Sequence, residues 1–329
     1  MHTTHSAIHV GVVIPCYRVR NQIIKVINRI GPEITKIICV IDCCPEGSGQ
    51  LILEQCSDHR VEVIFNDKNL GVGGATISGI RAALAHGCQI IVKLDGDGQM
   101  DPRDIPRLLA PILAQRADFT KGNRFYDLDG LQSMPWIRLV GNALLSFISK
   151  FSTGYWHVFD PTNGFFAMHA ITARQLPWSK ISQDYFFESD LLFRLNIVSA
   201  VIEDVPMKAH YGDEVSSLRI RSIIGIFLFR HFRNVLKRIF YNYFLRDFCI
   251  VSIELVVGLL LLFGGVWWGV MEWLASIATG IPRTAGTVLL AVMPILLGVQ
   301  FILAFLNYDM SRTPKIPLQI RLIDWDHTK

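Results

Sequence analysis

No Cys-x-x-Cys pair occurs among the seven cysteines of this 329-residue chain, so a zinc knuckle is not expected. Six of them (Cys16, Cys39, Cys43, Cys44, Cys56, Cys88) fall in the first hundred residues, several inside apolar runs. They read as buried or reduced thiols of a cytosolic domain. The opening "MHTTHSAI" lacks the basic start and apolar core of a signal peptide. His2, His5 and His9 have no evident partners and read as a tail leading into a strand. No internal repeat or low-complexity linker is visible. Charge is scarce at 18%, and the net charge is only +4, so no nucleic-acid partner is expected.

Apolar residues are what the chain has in abundance. They make up 51% of it, and the mean hydropathy is +0.35, too greasy for a purely soluble protein. Before about residue 215 the apolar runs are short and separated by Gly, Pro and Asp; after it come two long ones. In the first part "IHVGVVI" (8–14), "KIICVI" (36–41), "VEVIF" (61–65) and "QIIVKLD" (89–95) alternate with helical stretches near 20–30, 49–57, 75–86 and 104–115. Continuous apolar strands between helices predict a mostly parallel sheet covered on both faces. In such sheets ligands bind beyond the carboxyl ends of the strands. Polar clusters fall at those ends: Pro15 and Tyr17, then Asp42, then Asn66 and Asp67, then Asp95 and Asp97.

The second part begins at 219–246 with a basic amphipathic helix. Phe232, Val235, Leu236, Ile239, Phe240 and Tyr243 recur at helical spacing, with Arg230, Arg233, Lys237 and Arg238 on the other face. Lying in the interface of an anionic leaflet suits that pattern. Residues 249–271 carry one charge, Glu254, and 286–306 carry none; each exceeds the roughly 20 residues needed to cross a bilayer. The join between them holds a single base, Arg283, whereas Arg238, Arg246, Arg312, Lys315 and Arg321 flank the pair. The positive-inside rule therefore puts both ends in the cytosol. The expected organisation is a catalytic domain over 1–218, an interfacial segment over 219–247, two spans over 248–310 and a cytosolic tail over 311–329.

Two motif readings fail on inspection. "DGDGQMDP" lacks the glycine at position six and the glutamate at position twelve of an EF-hand loop, with Met100 and Pro106 in their places. "NLGVGGAT" (69–76) follows the third strand and ends on Thr76 where a dinucleotide fingerprint needs Gly or Ala. Asp95 and Asp97 alternate at a strand end and point together if the strand geometry persists. Two such carboxylates repel unless a cation, a basic side chain or solvent lies between them.

Taken together, these pieces resemble glycosyltransferase family 2, the inverting GT-A transferases. Within it they are similar to the dolichol-phosphate mannose synthase and polyprenyl-phosphate glycosyltransferase group. The resemblance covers about residues 9–218. "VVIPCY" looks like the family's first strand and turn, with Pro15 and Tyr17 retained and Arg18-Val19 in place of Asn-Glu. "VIDCCPEGS" is similar to its base-recognition segment, with Asp42 kept and Cys43 for the second Asp. "NLGVGGAT" resembles the helix start lining the nucleotide, which implies roles for Asn69, Gly71 and Gly73. "DGDGQ" is the family's D-x-D-x-Q. The resemblance implies that Asp95, Asp97 and the Gln99 amide hold Mg²⁺ or Mn²⁺ against a sugar-nucleotide diphosphate.

Further on, Arg124 in "KGNRF" and Arg138, with Asn142, in "SMPWIRLVGNALLSFISKF" stand where the family handles phosphate and acceptor. "DPTNGFFAM" brings Asp160 to the mouth. "YFFESDLLFRL" resembles its acidic helix start, where Asp190, or less favourably Glu188, is the base a hydroxyl acceptor would need. In "VPMKAHYGDEVSSL" the basic residue is His210, and Ser217 stands where the family has Lys.

The resemblance implies a metal-dependent transferase moving sugar from a UDP- or GDP-sugar to a polyprenyl phosphate at the membrane lipid surface. Its place is the cytoplasmic (inner) membrane, multi-pass, with the catalytic domain in the cytosol; a homo-oligomer is left open. The alternatives are transfer to a hydroxyl of a lipid-linked glycan, and a non-catalytic membrane-anchored sugar-nucleotide binder.

Overall fold

The computed structural model describes residues 8–126, 136–208 and 220–322. The four apolar runs form β1 (Val10–Cys16), β2 (Lys36–Ile41), β3 (Val61–Phe65) and β4 (Ile90–Lys93). Between and after them lie α1 (Ile23–Ile27), α2 (Ser48–Gln55), α3 (Gly71–Ala85) and α4 (Ile105–Leu113). The chain continues through β5 (Phe119–Asn123), α5 (Trp136–Thr153), β6 (Phe166–His169), α6 (Ala170–Gln175), α7 (Phe187–Ile197) and β7 (Ile202–Pro206). It ends in α8 (Ile220–Phe240), a π-helical turn over Tyr241–Leu245, α9 (Ile250–Thr279), α10 (Ala285–Ser311) and the short α11 (Leu318–Arg321).

The seven strands form one sheet in the order β3-β2-β1-β4-β6-β5-β7. Only β6 runs against its neighbours; all other pairings are parallel. That reversal matters for the site, because it brings the start of β6 to the rim where the other strands end. Strand alternation divides the core. Val12, Ile14, Cys39 and Ile41 pack with Ile23, Ile52 and Ile105 on one face. Val13, Ile38, Val40 and Ile91 pack with Ile80, Phe187 and Leu191 on the other. Helices therefore cover both faces, as the continuous apolar strands predict.

The chain divides into two compact units, one running to Val235 and resuming at Pro314, the other Leu236–Thr313. In the first, the stretch after the second long apolar helix docks on the sheet domain. The buried Asp118 carboxylate accepts the backbone N–H groups of Val201 (2.8 Å), Leu318 (2.8 Å) and Gln319 (3.1 Å). The Gln319 amide donates in turn to the carbonyls of Ala117 (2.8 Å) and Ile112 (3.2 Å). Two helices of this unit invert the usual pattern. α5 turns Trp136, Val140, Leu144 and Phe147 outward, each more than half exposed, and buries Ser146, Ser149 and Ser152. α8 exposes Phe229 and Phe232 and buries His231 and Asn234, which bond to Ser152 (2.7 Å) and Asp190 (3.1 Å).

In the second unit α9 and α10 are about 45 and 40 Å long at 1.5 Å per residue, more than a bilayer's hydrocarbon core of about 30 Å. They meet at small residues. A Cβ on Gly298 would stand 2.6 Å from the Leu262 nitrogen and 2.8 Å from the Gly258 oxygen, the close backbone approach that small residues permit between apolar helices. The sequence expectation for 219–246 needs one correction here. Arg238 leaves the basic face and lies buried, bidentate to Asp309 (Nη1–Oδ1 2.5 Å, Nη2–Oδ2 3.0 Å). Tyr243 also turns inward, its hydroxyl donating to Asp309 at 2.6 Å. A carboxylate on α10 supplies the partner that makes burying both groups tolerable.

Candidate active site

The carboxyl rim of the sheet gathers most of the residues singled out by the sequence. After β1, Pro15 stays in register with Val40, and Tyr17 is exposed with the Arg18 guanidinium 5.4 Å from its ring centre. After β2, Asp42 is buried and organises the next loop. Its carboxylate accepts the Asn66 amide (2.8 Å) and the Leu70 backbone N–H (2.9 Å). Asn69 accepts the Gly71 N–H at 3.0 Å. The Gly73 and Gly74 N–H groups both donate to the Gln183 carbonyl, at 2.9 and 3.3 Å. A Cβ on Gly73 would lie 2.8 Å from that oxygen and from Phe187. Gly73 thus serves a close approach of the segment leading into α7, and its amide already has an acceptor.

The centre of the rim follows β4. Lys93 and Asp95 alternate onto one side, and the Lys93 Nζ lies 2.6 Å from Asp95 Oδ1. Asp97 folds its turn by accepting the Gln99 N–H at 3.0 Å. From the start of α7, Glu188 reaches within 3.8 Å of the same ammonium. Lys121 stands in register with Phe166 on β6, as Lys93 does from the opposite side, and donates to the Asn163 carbonyl. Burial disfavours the Lys93 ammonium, but Asp95, Glu188 and Asp97 outweigh it and raise its pKa. Burial wins for Lys121, pulled down to about 8 against Glu188, Asp160 and Asp204. Burial also raises the Glu188 carboxyl, although both lysines draw it back. Gly164 completes this centre, since a Cβ there would press on the Lys93 ammonium and stand 2.8 Å from Asp95 Oδ2.

At the edge of the cluster Arg124 is held in a fork by Asp160, Nε to Oδ2 at 2.8 Å and Nη2 to Oδ1 at 3.0 Å. Asp190 is elsewhere. Two residues beyond Glu188 on a helix it faces away, buried, accepting from Ser182 N–H (3.0 Å) and Asn234 (3.1 Å). Of the two acids, Glu188 stands beside the rim cluster and Asp190 does not. Arg138 falls in the first turn of α5 with its side chain outside the described residues, and His210 and Ser217 lie outside them altogether. The motifs assign no role to Lys93 or Lys121; the signal for Lys93 is a lysine ending an otherwise apolar strand, and Lys121 has none in its local sequence.

The donor set of Asp95, Asp97 and Gln99 consists of hard oxygens, the kind Mg²⁺ and Mn²⁺ take. Among the described residues no three His, Cys, Asp or Glu side chains close around a point by themselves. Such a site fits a cation that completes its shell with water and substrate phosphate, the usual habit of Mg²⁺.

A mostly parallel sheet with paired acids at its carboxyl rim is the architecture of a GT-A transferase. Glucosyl-3-phosphoglycerate synthase of Mycobacterium tuberculosis, in a crystal structure with Mn²⁺, UDP and phosphoglyceric acid, shares this fold. It superposes with a TM-score of 0.51 at 16% identity over 70% of this chain and 78% of its own. Residues 11–175 match glycosyl transferase family 2, and the chain belongs to that family, as a glycosyltransferase. Relatives with named activities include the following two. The UDP-N-acetylglucosamine–dolichyl-phosphate N-acetylglucosaminyltransferase of Methanococcus voltae is 27% identical over 66% of this chain and 92% of its own. The polyprenol monophosphomannose synthase of Mycolicibacterium smegmatis is 30% identical over 58% and 74%.

Proposed function

We propose that this protein is a membrane-anchored, inverting transferase that moves a sugar from a nucleotide sugar to a polyprenyl phosphate. Pro15, Tyr17, Asp42, Asn69, Gly71 and Gly73 shape the nucleotide's seat, with Asp42 acting through the loop it holds. Asp95, Asp97 and Gln99 hold Mg²⁺ or Mn²⁺ against the diphosphate. The cation supplies Lewis-acid stabilisation of charge on the departing nucleoside diphosphate. A phosphate acceptor is already ionised near neutral pH, so its oxygen needs positioning rather than deprotonation. Arg124, set by Asp160, and Arg138 are the residues for that task.

The observation that carries the lipid part of this reading is the outward apolar face of α5, with Trp136, Val140, Leu144 and Phe147 in line. Such a face, more than half exposed on a helix beside the site, suits contact with lipid. The docking of Leu318 and Gln319 on Asp118 supports a hairpin, because the chain on both sides of the two apolar helices then shares one compartment. The excess of bases outside the hairpin supports the cytosol as that compartment.

Transfer to a hydroxyl of a lipid-linked glycan is the second reading. Glu188 favours it, as an acid at the rim beside Asp95. Purified protein incubated with polyprenyl phosphate and a panel of UDP- and GDP-sugars tests the choice. Labelled sugar in the mild-acid-labile polyprenyl fraction supports the phosphate acceptor. Label appearing only when a lipid-linked glycan is supplied supports the rival.

A further inference from the structure

Lys93 is an unusual residue for its position. Its side chain is only 1% exposed at the end of a four-residue strand whose other members are Ile90, Ile91 and Val92. A buried ammonium is tolerated only when it is paired, and both its partners are carboxylates. Asp95 Oδ1 lies at 2.6 Å and Glu188 Oε1 at 3.8 Å. The ammonium sits over Gly164, where a Cβ would displace it and crowd Asp95 Oδ2. One charge on each side therefore fixes Lys93, and Lys93 fixes Asp95.

We propose that Lys93, braced by Glu188, is a positioning residue that holds Asp95 by Oδ1, leaves Oδ2 as the atom a cation takes, and sets how tightly the divalent ion binds. Asp95 is then shared between a permanent cation of the protein and an exchangeable one. Lys93 repels the ion while orienting its ligand, and Glu188 attracts the ion while restraining the lysine. Binding without nucleotide stays weak, and the diphosphate of the donor must supply the missing negative charge. The inference rests on the metal reading of Asp95, Asp97 and Gln99.

The test measures Mn²⁺ binding to the full-length protein in detergent, without nucleotide, from the electron paramagnetic resonance signal of free Mn²⁺. Lys93→Met removes a positive charge next to a ligand oxygen and is expected to tighten binding by at least about tenfold. Glu188→Gln removes a negative charge and is expected to weaken it by about tenfold. The double variant, which swaps a buried ion pair for a neutral pair of similar shape, should return to within about threefold of wild type. A merely structural role would weaken binding in both single variants, and that result overturns the proposal. If Lys93→Met does not fold, as judged by circular dichroism, Glu188→Gln and the double variant decide by the same signs. Wild-type protein that binds no Mn²⁺ even after UDP or GDP is added removes the metal reading and this inference with it; wild-type binding with unshifted variants removes the inference alone.

Discussion

Replacing Asp118 with Ala separates a docked strap from a loose tail after the second apolar helix. The carboxylate accepts from Val201, Leu318 and Gln319 at 2.8, 2.8 and 3.1 Å. In the variant the Val201 N–H stays in the core without an acceptor, which costs about 1–3 kcal/mol. Leu318, 4% exposed, returns to water as the strap undocks, at about 1.5–3 kcal/mol. Against this, burial already pushes the Asp118 carboxyl above its usual value, with the three amides pulling it back; deleting it relieves part of that strain. The net expectation is a loss of about 2–4 kcal/mol. At roughly 2–4 °C per kcal/mol for a unit of this size, the melting temperature falls by roughly 5–15 °C. Thermal melts of the full-length protein in detergent read the first number, and trypsin cleavage after Lys315 reads the undocking. A variant that melts within about 1 °C of wild type, a change typical of a neutral surface site, and is cut at the wild-type rate would refute the reasoning.

Gly298→Leu forces a side chain into backbone 2.6 Å away and should destabilise the helical hairpin by about 1–3 kcal/mol, seen as a lower melting temperature of the second unit. His231 is held neutral by burial, its pKa lowered to about 4 from 6.5. Only the unfolded chain takes up that proton between these values, so stability is whole above about pH 6.5 and falls by about 2 kcal/mol on reaching pH 5. His231→Gln should flatten that part of the pH dependence of unfolding, and an unchanged slope would count against it. Asp190→Asn should lower the melting temperature, because the carboxylate holds Ser182 and Asn234. Its turnover per folded molecule should stay well above the loss of about 10²–10⁴-fold that removal of a general base brings.

The first half of the fold was legible because β1 to β4 are continuous apolar runs, and a strand buried on both faces has no other way to be written. β5 and β7 were not. Their sequences, "FTKGN" and "IEDVP", carry Lys121, Asn123, Glu203 and Asp204, polar residues that a pattern reading assigns to loops. Lys121 and Asn123 are tolerated in a buried strand because Asn163 and Asp204 bond to them, and those partners lie 40 to 80 residues away in the chain. At the site, strand period carries only as far as Lys93, where β4 ends, and Asp97 sits in the turn that follows, accepting the Gln99 N–H. A base does stand at this strand end, Lys93, and its ion pairs are with Asp95 and Glu188. The choice between Glu188 and Asp190 needed the helix phase of α7, which two acids in "ESD" do not reveal. The basic face of α8 misled at Arg238, since nothing local announces Asp309 as its partner.

Sugar transfer from a nucleotide sugar to polyprenyl phosphate, compared between wild type and Asp97→Ala, tests the central claim most directly. Wild-type protein should form the glycosylated lipid phosphate with Mg²⁺ or Mn²⁺ and stop when a chelator is added. Asp97→Ala, a change on the rim outside the core, should fold normally and lose at least about 10²-fold in rate, as removal of a key electrostatic stabiliser does. Full transfer by Asp97→Ala in the presence of chelator, or no glycosylated polyprenyl phosphate from wild type with any UDP- or GDP-sugar, would contradict it.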